Sequence, residues 1–320
     1  MGKLPIELIK RKFYEIKQAT GSYGIKPEER PIEKLINNGI IILDKPAGPT
    51  SHNVSGDIKK LLNIKKAGHA GTLDPQVTGV LPIALGDATK INHALLNTGK
   101  EYVCTMHIHK DIEENLVKNE LNKWIGKIKQ IPPVKSAVKR EEREREIYYI
   151  EFLEMKKRDI TFIVGCEGGT YIRKLCSDLG EKSGWGAHMQ ELKRTKAGPF
   201  NEKQCVKLDD LKKAIEEYKK AKSDGEKKES EKKLKKMILP IESAVSHLPK
   251  IYCMDEAINY IKNGRSLLSK DISEFEEFVK VDNAAILTLK GELAALGIAL
   301  CNSKEIGNKF LCAKIERVFL

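Results

Sequence analysis

The chain has 320 residues, 41% of them hydrophobic, and 57 Lys and Arg against 45 Asp and Glu give a formal net charge of +12. That length allows two domains and that composition a real core, which excludes global disorder. No apolar run of about 18 residues exists to cross a membrane, the N-terminus lacks the apolar heart of a signal peptide, and the 7 cysteines contain no C-x-x-C pair, against a zinc ribbon or a disulfide framework.

The first 38 residues are polar, with Pro27 and Pro31 breaking any long helix, and read as an extended arm. GIIIL at 39–43 predicts a short buried strand, closed by the turn-rich DKPAGPTS. Residues 54–62 have helical spacing, with a cap at Ser51 or Asn53. The stretch KKAGHAGTLDPQVTGVLPIALGDATK at 65–90 follows. Its glycine-flanked Asp74-Pro75 turn can hold a catalytic carboxylate, a phosphate or nothing more than a bend.

Residues 102–109 alternate as a strand, 116–125 are helical, and 147–152 with 160–166 form a hairpin around KKRD. TYIRKLCSDLGEK at 170–182 is an amphipathic helix opening after Gly168-Gly169. Strands and helices without a βαβ rhythm predict an α+β domain with a mainly antiparallel sheet. Residues 209–236 are charged and nearly free of aromatics, a solvated helix pair broken near Ser223-Asp224-Gly225. A compact β-rich module closes the chain, with a short helix ending at 260–264 and a hairpin around Lys290-Gly291-Glu292. The expected domains are an arm at 1–38, a catalytic unit at 39–245 and a β-rich unit at 246–320.

The net charge of +12 points to an anionic partner, nucleic acid first. GCEGGT and GTLDPQVTG match neither the P-loop nor the Rossmann spacing, so no nucleotide cofactor is expected. His107 and His109 alternate on a strand, an isolated pair that makes a weak metal candidate. Scattered cysteines fit a reducing cytosol, and the expected compartment is the cytoplasm.

Five segments, in order, carry a resemblance: ILDKPAGPTSHNV at 42–54, GHAGTLDPQVTGVLP at 68–82, PPVKSAVKR at 132–140, GGTYIRKLCSDLG at 168–180 and ELKRTKAGPF at 191–200. Together they resemble the TruB/Cbf5 family of pseudouridine synthases, and the C-terminal module is similar to a PUA pseudobarrel. The likeness covers roughly residues 35–320 and is nearer the archaeal branch than the bacterial one. Lys135 stands where bacterial relatives usually carry tyrosine.

The resemblance implies that Asp74 is the catalytic carboxylate, paired with Arg173, and that Tyr102 stacks on the target base. It further implies that Tyr171, His52, Leu192 and Lys45 line or shape the substrate cleft. The isomerisation has no net redox or hydrolytic step, so neither metal nor cofactor is expected. Implied partners are an H/ACA guide RNA, an rRNA substrate with tRNA uridine 55 as a further target, and the proteins Nop10, Gar1 and L7Ae, with no membrane. Residues 139–146, KREEREREI with its following Ile, are acidic beside their arginines, so no guide-RNA contact is expected there. The alternatives are a stand-alone tRNA pseudouridine-55 synthase and a non-catalytic RNA-binding assembly factor.

Overall fold

The computed structural model describes residues 2–132 and 139–320; most of the PPVKSAVKR segment, Lys135 included, lies outside them. Two mixed sheets organise these residues. The larger runs, strand beside strand, Val206–Lys207, Gly39–Lys45, Thr78–Leu85, Ala187–Ala197, Lys100–Ile108, Asp159–Cys166, Arg143–Lys156 and Gly126–Gln130. Its pairings are antiparallel except Val206–Lys207 on Leu43–Asp44 and Thr78–Gly79 on Lys193–Arg194. The fold is therefore α+β, as expected.

One face of this sheet is packed by the helices Ser51–Leu62, Ile172–Lys182 and Leu208–Lys220, whose apolar stripes join Ile41, Leu43, Cys104, Met106 and Phe162 in the main core. The Ser51–Leu62 helix is capped by Thr50, one residue before the expected candidates, its side chain accepting from Asn53 N–H at 3.0 Å. The charged pair of helices is Leu208–Lys220 and Asp224–Lys235, with Ser223 capping the second. Leu211, Ala214, Ile215 and Leu234 bury their inner faces, so the segment belongs to the domain despite its charge.

Two elements depart from the sequence reading. The arm ends in a helix, Ile32–Asn38, which buries Ile32, Leu35 and Ile36 behind Pro31 at its N-cap. The long central strand Ala187–Ala197 was legible as a motif but not as a strand, because its exposed half is polar and hides the alternation.

The C-terminal module is a second sheet, ordered Phe13–Glu15, Ile272–Glu276, Lys250–Cys253, Asn283–Thr288, Leu293–Ala299, Leu311–Val318, Leu267–Leu268. Its first strand comes from the arm. Phe13 meets Tyr252 edge-on at 6.3 Å and Tyr14 stacks on Phe275 at 5.2 Å. A continuous apolar cluster joins the modules, with Ile40, Val80, Phe200 and Val245 from one and Leu287, Leu293 and Phe319 from the other. Arg30, 2% exposed, adds a paired fork to Glu242 at 2.7 and 2.8 Å.

Candidate active site

The Asp74 loop is held from behind by the segment after the first catalytic strand. Lys45 is fully buried, and its ammonium donates to the carbonyls of Pro46, Pro75 and Val77 at 2.9, 3.0 and 2.9 Å. Ser51 Oγ accepts from Leu73 N–H at 2.8 Å and donates to Leu73 O at 3.0 Å, fixing the residue just before the aspartate. Gly48 N–H donates to Pro75 O at 2.9 Å, and Val77 N–H closes the Asp74–Val77 turn on Asp74 O at 3.0 Å. With so many ties the carboxylate has a fixed origin.

Burial depresses the Lys45 ammonium below its usual range, opposed by the nearby Asp74 charge. Lys45 has no exposed surface to offer a substrate. Its part in the cleft wall is played through the loop it clamps.

Asp74 itself is half-exposed and pairs with Arg173, also half-exposed, Oδ2 accepting from Nη2. Arg173 stands in the first turn of the Ile172–Lys182 helix, 99 residues along the chain from Asp74. An exposed pair of this kind contributes little to stability, so its consequence is orientation of the carboxylate.

Tyr102 lies on Lys100–Ile108, 9% exposed, in register with Arg194 on the next strand. Burial pushes the phenol above its usual value, with Arg194 opposing the shift by charge and hydrogen bond. Arg194 is 1% exposed and donates from Nε to Val80 O at 2.7 Å and from Nη2 to Gly71 O at 3.1 Å. It thus ties the strand under Tyr102 to both ends of the Asp74 loop. Gly79, φ +101°, lets the backbones touch: any Cβ there would collide with the Arg194 carbonyl.

The remaining candidates are spread around this centre. Tyr171 is half-buried at the N-cap of the Arg173 helix, and Gln130 holds its backbone on both sides, accepting from its N–H at 3.1 Å and donating to its C=O at 3.2 Å. Leu192 is partly buried against the main core, two residues before Arg194. His52 is exposed in the first turn of the Ser51–Leu62 helix. His107 Nδ1 donates to Asp159 Oδ1 at 2.6 Å, and His109 Nε2 and His188 Nδ1 share a hydrogen bond at 2.9 Å; no group of three or more metal-binding side chains exists among the described residues.

Arg194 and His69 were not singled out from the sequence. His69 is half-buried with an unpaired buried Nδ1, and burial, Arg194 and His52 lower its basicity. Both lie inside quoted motifs, so the signal was present; what was missing was the strand pairing that sets Arg194 against Tyr102 and the ends of the Asp74 loop and His69 near Arg194.

The chain matches models described as the TruB family pseudouridylate synthase N-terminal domain at residues 59–115 and 108–172, and the tRNA pseudouridylate synthase B C-terminal domain at 173–246. It also matches the DKCLD (NUC011) domain at 3–55 and the PUA domain at 249–319. The class is thus a pseudouridine synthase carrying a PUA module. Among curated relatives, "Probable tRNA pseudouridine synthase B" of Methanopyrus kandleri is 50% identical over 89% of this chain and 82% of that protein. The protein of the same name in Nanoarchaeum equitans is 45% identical over 99% and 90%. A solved Cbf5-Nop10-Gar1 complex superposes with TM-score 0.91 at 44% identity, covering 99% of this chain and 96% of that one. An H/ACA RNP bound to a substrate RNA containing 2'-deoxyuridine gives TM-score 0.89 at 41% identity, covering 99% and 97%. The chain belongs to the TruB/Cbf5 family of pseudouridine synthases. No helix among the described residues is long and apolar enough to cross a membrane.

Proposed function

We propose that this chain isomerises uridine in RNA at Asp74, under the direction of an H/ACA guide RNA. The observation that supports the assignment of Asp74 is its ion pair with Arg173 beside buried Tyr102 on a loop tied from three sides. As the N1–C1′ bond of an extruded uridine breaks, C1′ becomes electron-poor, and the carboxylate meets that charge as nucleophile or as counter-ion. The base turns, C5 bonds to C1′, C5 loses a proton and N1 gains one, so the product is an isomer. Arg173 aims the carboxylate through their ion pair. Tyr102 offers the flat face an unstacked base needs, and its raised pKa keeps the phenol protonated at neutral pH. Tyr171, Leu192 and His52 complete the walls, and Lys45 positions the loop.

The guide-directed reading is supported by the likeness, over 99% of the chain, to a Cbf5-Nop10-Gar1 complex and to a substrate-bound H/ACA RNP. Nop10 and Gar1 would bind this chain, an L7Ae-type protein would join through RNA, and the PUA module would anchor the guide's 3′ end. The arm at 1–38, the catalytic unit at 39–245 and the PUA unit at 246–320 are the working domains. The curated relatives' names favour tRNA as a second substrate. Reconstitution tests both: labelled rRNA-type substrate with guide, Nop10 and Gar1, against bare tRNA transcript alone. Conversion of tRNA only, with no guide-dependent product, would replace the first reading by the second. Asp74→Asn should abolish both activities while leaving RNA affinity nearly unchanged.

A further inference from the structure

Tyr102 and Arg194 face each other because the ladder between their strands is uneven. Glu101 pairs with Lys196 but Tyr102 pairs with Arg194, so Thr195 is an extra residue, a β-bulge. In an even register Arg194 would stand opposite Val103 and its side chain would leave the Tyr102 face, because successive side chains of a strand alternate. The placement of both residues therefore depends on what holds Thr195.

Glu101 holds it. The Glu101 side chain, on the opposite face of the strand from Tyr102, is 2% exposed. Its Oε1 accepts from Thr195 Oγ1 at 2.8 Å, and its Oε2 accepts from Tyr149 Oη and pairs with Lys196 Nζ at 3.1 Å. Tyr149 gets there by lying across the intervening strand. Glu101, Gly165 and Tyr149 share one register row, and a Cβ on Gly165 would fall 2.3 Å from the phenol ring. A buried carboxylate answered by three donors stays where those donors put it.

The cover over this group is the arm. Lys196 Nζ also donates to both oxygens of Glu7, at 3.0 and 3.1 Å, and Glu7 stands in the arm's first turn, Pro5–Leu8. Leu4 is fully buried beside that turn, its N–H donating to Glu7 Oε2 at 2.7 Å. Gly2 lies against the Tyr149 ring and donates its N–H to Glu151. One path of contacts thus runs from Glu7 through Lys196 and Glu101 to Thr195, next to Arg194. At 2% exposure Glu101 has no surface to offer an RNA, so its effect passes through the bulge. We infer that Glu101, clamped through Lys196 by Glu7 of the arm, is a positioning residue for the isomerisation, fixing the Thr195 bulge that sets Arg194 against Tyr102. That role rests on the pseudouridine-synthase reading above.

The test uses the reconstituted guide-directed enzyme, with substrate affinity and single-turnover rate measured well below each variant's melting temperature. Glu101→Gln should lower the rate roughly 10- to 100-fold, the range for lost charge-assisted hydrogen bonds, while affinity stays within about threefold. Thr195→Val keeps the shape without the hydroxyl and should lower the rate roughly 10-fold. Thr195→Ser, which returns the hydroxyl, should recover most of that loss. Glu7→Gln should cost about threefold alone and nothing further in the Glu101→Gln background, since both act along one path. Rates within about threefold for both Glu101→Gln and Thr195→Val would overturn the assignment. So would an affinity loss that accounts for the whole rate loss, or Glu7 and Glu101 effects that simply add. If Glu101→Gln does not fold, the Val and Ser variants of Thr195 decide. Activity surviving Asp74→Asn would remove the underlying reading instead, a separate failure.

Discussion

Replacing Lys45 by methionine keeps the length of the side chain and deletes its ammonium. Three carbonyls, those of Pro46, Pro75 and Val77, then lose donors at 2.9–3.0 Å inside the protein. An acceptor stranded in this way costs about 1–3 kcal/mol, and the recovered desolvation of the ammonium returns part of that. A net loss of about 3 kcal/mol is expected. Because two of the three carbonyls, those of Pro75 and Val77, lie just after Asp74, the loss should appear as a wandering carboxylate. If it falls wholly on the transition state, single-turnover rate drops roughly 100-fold. RNA affinity should hold, since Lys45 has no exposed surface. Lys45→Arg should not rescue, because a planar fork cannot aim at three carbonyls around one nitrogen. A rate within about threefold of the unmodified enzyme, with an unchanged melting curve, would refute the claim that the ammonium organises the loop.

Gly79→Ala places a Cβ against the Arg194 carbonyl at φ +101°; soluble yield and melting temperature should fall well beyond a surface substitution, by about 3 kcal/mol or more. His247 is mostly buried, its Nδ1 unpaired, and burial lowers its pKa to about 4. The unfolded chain therefore takes up a proton that the folded chain refuses, so stability is intact above about pH 6.5 and drains by up to about 3 kcal/mol as pH falls toward 4. Denaturant unfolding across that window should show the slope, and His247→Gln should flatten it. Tyr14→Ala removes the ring stacked 5.2 Å from Phe275, a loss of about 1 kcal/mol beyond area; amide exchange should quicken in Ile272–Glu276 but not in Lys100–Ile108.

Much of this protein is legible in its residues because local chemistry and final structure agree. GIIIL is the strand its apolar run predicts, and the break read near Ser223-Asp224-Gly225 falls where the second charged helix starts, Ser223 Oγ accepting from Glu226 N–H at 3.3 Å. The pairing of Asp74 with Arg173 followed from motif resemblance alone, since nothing local ties residues 99 positions apart. What stayed hidden depends on register. Arg194 reads as one more basic residue in ELKRTKAGPF until strand pairing sets it against Tyr102 and buries it. The resemblance puts Lys45 at the cleft wall, but its burial under three carbonyls follows only from the folded loop. The arm, polar as a sequence, is ordered by partners more than 200 residues away, such as Asp255 for Ser22.

That lacing has a consequence for biogenesis. Phe13–Glu15 pairs with Ile272–Glu276, so the edge strand leaves the ribosome long before the surface that receives it exists. Until those later residues emerge, two aromatic rings and an open row of amides wait in solvent, a period in which a chaperone or a neighbouring nascent chain competes for them. The first edge of this sheet therefore cannot close until Ile272–Glu276 has been made.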